Sequence, residues 1–439
     1  MKGKGNAAVV LIAVVLSVAV ITYFILNIIF SPYWDSVYPS MGYFSFASMR
    51  YAESDSETFT KEQACADIDY IISRIERVYP DSIDGVPSNV AAAAERAKSS
   101  FGASVTAYEL WRGAASVLHY LNDAYCTSAP SFPMNYIVDY SDFVDDGAVL
   151  TAINGKSIDD IFNQTKDYLS YDTEAWGKSV IRGLAATREG LKFLDLYADT
   201  VIYDYIGSDG KSFSRTYSQG DFYNAAAVQN IETEDFTYSS EILTDSNAAV
   251  MTIEKCVYSM EYKQFLYNFF SDVKENNIEN IVIDLRSTNS GTSEVLDELL
   301  KYVDCKSYRT PGGVWRLGPY LMRWESEENN IINMDTDTIF SGDIYVLTSS
   351  DTFGSGALIA EILADNDIAV YVGEPCGNNP DGYGEAVVFQ TPNAALSFQI
   401  SSKKYDRIDE SKSGQQFTPD ILCIASDALD CALEDIANK

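Results

Sequence analysis

Histidine occurs once in these 439 residues, at His119, and that scarcity removes several chemistries. A HExxH zinc site needs two histidines, and no Asp-x-Asp-x-Asp-Gly loop offers a calcium alternative. The seven cysteines (Cys65, Cys126, Cys256, Cys305, Cys376, Cys423 and Cys431) are odd in number, widely spaced and free of CxxC pairs. They signal neither a zinc cluster nor a disulfide framework, and most are expected as buried thiols. Positive charge is also short: 31 Lys and Arg face 64 Asp and Glu, for a net charge of −33. Phosphate contacts need a basic face, so nucleic acid is excluded as a partner. A solvated acidic surface is the plain reading of this charge, and an acidic groove for cationic peptides the sharper one. Internal repeats are missing, and one helix per strand in place of eight matched units speaks against a closed barrel. GYGEAV precedes a β-run instead of opening a helix, so it is no nucleotide fingerprint, and no cofactor is expected.

One stretch lacks charge altogether. AAVVLIAVVLSVAVITYFILNIIF, residues 7–30, is long enough at about 1.5 Å per residue to outreach a hydrocarbon core of roughly 30 Å. It reads as an uncleaved transmembrane helix, because the run is too long for a signal peptide and no small-x-small site precedes Ser31-Pro32-Tyr33-Trp34. Lys2 and Lys4 stand before it and no basic residue follows until Arg50, which predicts a cytoplasmic tail over residues 1–6 and an extracytoplasmic body.

The body divides by pattern. Residues 31–58 read as an aromatic juxtamembrane stalk. A helical cap is expected over 59–128, where Thr60 with Gln63 and Thr106 with Glu109 form capping boxes. Cys65, Ile68, Ile72, Ile75 and Tyr79 give the first helix one apolar face, stopped by Pro80. Asn89 begins a second helix, and the third buries Leu110, Ala114, Val117, Leu118 and Leu121. Residues 129–225 alternate in short runs broken by Asp-Gly and Asn-Gly, predicting a β-rich module. Strand and helix patterns then alternate through 226–439, predicting an α/β core with a largely parallel sheet.

Two turns in that core carry chemical interest. IVIDLRSTNSGTSEVLDELL ends a strand in a polar turn at Gly291, where backbone N–H groups can approach a ligand. SSDTFGSGALIAEILADN ends another strand in a tight turn and opens a helix, the setting in which hydrolases hold a nucleophile. Ser355 is the candidate there; its rival role is a plain helix cap. A serine needs a base, yet His119 flanks an apolar helix face and reads as structural. Lys403 and Lys404 look like a solvated strand end, and Asp409 and Glu410 like surface acids able at most to orient a base.

Taken with DIDYIISRIERVYPD, LNDAY, AINGKSIDDI, VYVGEPCGNNPDGYGE, TPNAALSFQISSKKYDR and TPDILCI, in that order along the chain, these turns resemble the carboxyl-terminal processing (tail-specific, tricorn-like) serine peptidases. The resemblance implies a ClpP/crotonase-like α/β core, an N-terminal helical cap and a PDZ-like or equivalent substrate-gating module at 129–225, although no clear carboxylate-binding loop is present there. It also implies substituted catalytic positions. The family's nucleophile follows a Thr-Phe or Thr-Ala pair, and Thr352-Phe353 put that position at Gly354, with Gly373-Glu374 downstream in register. Asp123-Ala124-Tyr125-Cys126 stands where one branch has a base-bearing Asp-Gly-His-Thr turn, so Tyr125 replaces the histidine. Asn379 stands where the other branch has its lysine, and Ser290-Gly291 replaces a glycine pair. Ser355 would point about 100° around the helix from the ancestral position.

The expectation is a membrane-anchored, extracytoplasmic pseudopeptidase that binds an extended peptide or protein C-terminal tail in a cleft of Tyr125, Gly291 and Gly354. Its rivals are an active serine-type peptidase using Ser355 and a structural envelope component.

Overall fold

The computed structural model describes residues 3–37, 47–52, 54–137, 148–207, 210–224, 237–334 and 338–439. Its organising layer is a six-stranded sheet in the order Tyr238–Leu243, Ala248–Ile253, Asn280–Asp284, Asp343–Thr348, Val370–Gly373 and Ile421–Leu422. Only the first pairing is antiparallel. Side chains alternate between its faces. Met251, Ile283 and Val346 pack with the helices Met260–Glu275, Glu294–Leu300 and Ser355–Asp365. Val250, Val282 and Leu347 face the C-terminal helix Ala428–Ala437. Both faces are covered, and all five residues of Asn280–Asp284 are buried, which is why its centre, Ile281-Val282-Ile283, is apolar without alternation.

A second core joins distant parts of the sequence. The helices Lys61–Val78, Ser88–Ser100 and Ala107–His119 pack with Val387, Phe389, Phe398 and Ile400 of the antiparallel strands Tyr383–Gln390 and Ser397–Tyr405. Both capping boxes form. The buried face of Lys61–Val78 is rotated slightly from the expected one: Ala64, Asp67, Ile71, Arg74 and Val78 are buried, while Cys65 and Ile72 lie at its margin. Polar groups on that face did not register as core because each needs a specific partner. Asp67 has one: its carboxylate accepts from the Asn393 N–H (2.9 Å), the Asn393 side-chain amide (2.8 Å) and the Ala394 N–H (2.9 Å), clamping the turn between the two antiparallel strands.

Three expectations need adjustment. The 129–225 module pairs its antiparallel sheet (Val149–Ile153, Lys156–Ser157, Thr200–Ile206, Ser212–Ser218) with the helices Ile158–Thr165, Glu174–Ala185 and Arg188–Phe193. Ser157, Thr173 and Thr187 cap those helices, a signal present in the sequence. The Asn154-Gly155 turn is formed between paired strands, whereas the Asp146-Gly147 turn and Asp209 lie outside the described residues. Three cysteines are buried (Cys126, Cys256, Cys376); the other four are partly exposed, and all seven are free. Finally, the start of the 31–58 segment is no free stalk. Tyr33 and Ser36 are fully buried, and the Val37 N–H donates to the Val388 carbonyl at 2.9 Å; residues 38–46 and 53 lie outside the description.

Asp67→Ala is expected to leave three donors at the strand turn without their acceptor and to destabilise the fold by about 3 kcal/mol. A lowered unfolding midpoint of the full chain in detergent checks this, and an unchanged midpoint contradicts it.

Candidate functional site

Two strands of the parallel sheet end side by side, and their turns are stapled together. The Thr352 hydroxyl donates to the Leu285 carbonyl at 2.8 Å and accepts from the Ser349 N–H at 2.9 Å. The Phe353 N–H reaches the Thr288 carbonyl at 2.9 Å, and the Ser349 hydroxyl the Arg286 carbonyl at 2.6 Å. Arg286 is held in turn by Asp284, through Nε at 2.9 Å and Nη2 at 2.6 Å, and donates to the Ala425 carbonyl. The Asp-Leu-Arg segment is therefore structural: it fixes the floor beneath the two turns, at the carboxyl ends of the strands where open α/β sheets place ligands.

Gly354 sits at the elbow with φ 60° and ψ −119°, just before the helix Ser355–Asp365. A side chain in that region costs about 1–3 kcal/mol, so glycine relaxes the turn. A Cβ on Gly354 would lie 3.0 Å from the Tyr125 hydroxyl oxygen and 3.5 Å from the Asn289 carbonyl. The tyrosine therefore stands against the place a nucleophile's Cβ would take. The Gly354 N–H donates to Asn378 Oδ1 at 2.8 Å, which fixes the elbow to the loop after Gly373. Gly291, at φ 111°, is demanded by contact: a Cβ there would lie 2.1 Å from the Cys256 carbonyl oxygen. That approach lets Cys256 bond to both neighbours of Gly291, at 3.0 Å to Ser290 and 2.8 Å to Thr292.

Tyr125, Gly291 and Gly354 line one cleft of about 480 Å³, together with Ser355, Asn379 and Glu385. Among the described residues, the N–H groups of Gly291, in its turn, and Ser355, at the helix start, have no acceptor, which leaves two backbone donors for a ligand carbonyl or anion. The Ser355 hydroxyl donates to the Gly291 carbonyl at 2.8 Å. This is neither the expected N-cap bond nor a bond to a base. Tyr125 is packed on Phe353, centroids 4.6 Å apart, and Phe353 stacks at 4.2 Å on Trp176 of the 129–225 module. Burial pushes the Tyr125 phenol further from ionisation than an ordinary tyrosine, so it is no base at neutral pH.

The other sequence candidates lie elsewhere. His119 Nδ1 meets the Leu169 carbonyl at 2.7 Å, between Tyr120 and Tyr171. Lys403 pairs with Glu385 at 3.6 Å and lies over Trp315, and Lys404 pairs with Asp81 at 2.9 Å. Asp409 caps the short turn Glu410–Lys412. Sequence reasoning missed three groups. Asn378 fixes the elbow. Asp172 receives the Ala124 N–H at 2.9 Å and the Asn379 N–H at 3.4 Å, joining the Tyr125 turn to the loop. Glu361, a buried residue of the helix Ser355–Asp365 in the cleft lining, accepts from the Ile408 N–H at 3.0 Å and lies 3.8 Å from Arg407 Nε. Asn378 had a signal in the polar Asn-Asn-Pro-Asp-Gly turn; an isolated acid such as Asp172 had none.

Burial raises both acids, Asp172 to about 7 with help from the neighbouring Asp123 charge, and Glu361 to about 8. A carboxyl raised from 3.8 to about 7 favours the fold while protonated; that contribution is full below pH 3.8 and is lost as pH rises through about 7. Stability of the wild type relative to Asp172→Asn is therefore expected to fall between pH 4 and 7. Parallel melting curves for the two proteins across that range contradict the assignment.

The family model for peptidase family S41 matches residues 247–423. Among solved structures, mature CPAF complexed with lactacystin is similar at a TM-score of 0.61 and 11% identity, covering 86% of this chain and 97% of that one. Mature CPAF alone gives 0.58 at 11% identity, covering 86% and 96%. The photosystem II D1 C-terminal processing protease gives 0.45 at 10% identity, covering 85% and 96%. At such identities the likeness to the two CPAF structures is one of fold. No curated protein matches the chain.

Proposed function

Because residues 247–423 match the family model for peptidase family S41, we propose that the protein is a catalytically inactive relative of those peptidases that binds extended peptides or protein C-terminal tails outside the cytoplasmic membrane. One observation carries the reading: the elbow residue is Gly354, and the Tyr125 hydroxyl stands where its side chain would project. Glycine supplies no nucleophile, and a buried tyrosine supplies no base. Loss of both groups costs about 10⁶-fold in turnover in serine peptidases. Binding needs neither. Extended peptides are held by main-chain pairing and side-chain pockets, and the free N–H groups of Gly291 and Ser355 suit a peptide carbonyl or a terminal carboxylate.

The rival peptidase would use Ser355, whose hydroxyl is engaged with the Gly291 carbonyl. The full-length protein is expected to resist a fluorophosphonate probe and to leave unstructured peptides intact. Labelling abolished in Ser355→Ala would overturn the reading.

Peptide affinity is expected near micromolar, as a few strand-type bonds allow. Across a panel of fluorescent unstructured peptides, Tyr125→Ala should weaken binding roughly tenfold, the loss of about 1.4 kcal/mol of contact. Gly354→Leu, or Leu358→Trp on the unstrained helix lining the same cleft, should abolish it. Undiminished binding in all three variants would place the peptide elsewhere.

The anchor half of the reading rests on the helix Gly3–Phe30, within which a segment beginning at Leu11 is long and apolar enough to cross a membrane and exposes its side chains. Protease added to intact cells is expected to digest the body. A body protected until lysis would reverse the orientation.

A further inference from the structure

The apolar helix leaves its last turn onto a fixed seat. The Tyr33 hydroxyl donates to the Arg316 carbonyl, Arg74 reaches Asp35 at 3.1 Å and the Pro32 carbonyl at 3.4 Å, and Arg77 reaches the Ser31 hydroxyl at 3.1 Å. Arg316 belongs to a hairpin of the strands Gly313–Leu317 and Tyr320–Trp324, the outer pair of the second sheet. The hairpin turn touches the helix itself: a Cβ on Gly318 would lie 2.6 Å from the Ile28 carbonyl oxygen and 3.3 Å from that of Ile29. Body and helix are therefore docked without a flexible joint, and the height of the hairpin is set by the height of Ile28.

That height can be read from the chain. The uncharged run starts at Ala7, and Ile28 stands about 31 Å further along the helix axis, close to the full thickness of a hydrocarbon core. Ile28 then lies at the outer boundary of the bilayer, and the turn beside it lies at the headgroup level. The exposed residues after the turn suit that place. Tyr320, Leu321 and Met322 are 60%, 40% and 46% exposed on the outermost strand, a cluster that water alone would not favour. Gly313 to Trp324 contains no Asp or Glu, although the chain carries 64. It carries Trp315, Tyr320 and Trp324, aromatic side chains of the kind enriched at bilayer interfaces.

We propose that this hairpin is a second membrane contact, with Tyr320, Leu321 and Met322 inserted at the lipid headgroup boundary beside the helix exit. The contact holds the body in one orientation on the bilayer. The inference rests on the helix crossing the membrane, so its test separates the two. Full-length protein is reconstituted in vesicles of phosphatidylcholine and phosphatidylglycerol, with or without brominated acyl chains. Leu321→Trp is compared with Leu422→Trp, an exposed leucine of the parallel sheet. The added emission of Leu321→Trp is expected to be quenched by brominated lipid at least about twofold more than that of Leu422→Trp. Equal quenching in protein that floats with the vesicles would overturn the hairpin contact while sparing the anchor. Failure of the full chain to float would overturn both.

Discussion

The cleft depends on the lateral stapling of two strand ends. Thr352 bridges its own turn and the Leu285 carbonyl, while Phe353 hangs from Thr288. These are short bonds between groups already removed from water, where an unmade bond costs more than a made one contributes. Because the second turn is fixed against the first, Gly354 and Gly291 face one space, and the loop carrying Asn378 can close the third side. Without the staple the sheet could still form, but its two turns would have no fixed relation to each other.

The staple also explains which parts of the site were legible. The parallel core and the two capping boxes follow from local patterns, apolar strands and cap residues, whereas the grouping of Tyr125, Gly291 and Gly354 came from the resemblance to the tail-specific peptidases. The polar groups that organise the second core and the cleft were not legible in this way. Asp67 lies on a helix face that reads as apolar and acts on a turn 326 residues away. Asp172 sits 48 residues from the Ala124 N–H it receives. Such pairings are set by the tertiary fold, and no period in the sequence encodes them. The helices of the 129–225 module were lost for a different reason: they are short, and their turn-rich surroundings resemble hairpins, although Ser157, Thr173 and Thr187 mark their starts.

An aromatic chain ties that module to the cleft. Trp176 stacks on Phe353, Phe353 packs on Tyr125, and the Thr173 hydroxyl reaches the Gly377 carbonyl at 3.3 Å. A shift of the helix Glu174–Ala185 would thus disturb the elbow and the Tyr125 turn together, since packed rings do not deform independently. The module is in direct contact with the elbow, and its position bears on the shape of the cleft wall.

The fit between Gly354 and Tyr125 couples the two positions. A serine introduced at 354 would meet the tyrosine hydroxyl at 3.0 Å and take on the backbone strain that glycine avoids. A histidine introduced at 125 would find no hydroxyl to activate and would give up the packing on Phe353 made by the tyrosine ring. Each single step toward a serine–histidine pair is therefore unfavourable before the other is taken. Neighbouring substitutions of this kind are non-additive, so the effect of changing Gly354 and Tyr125 together is not the sum of the two single changes.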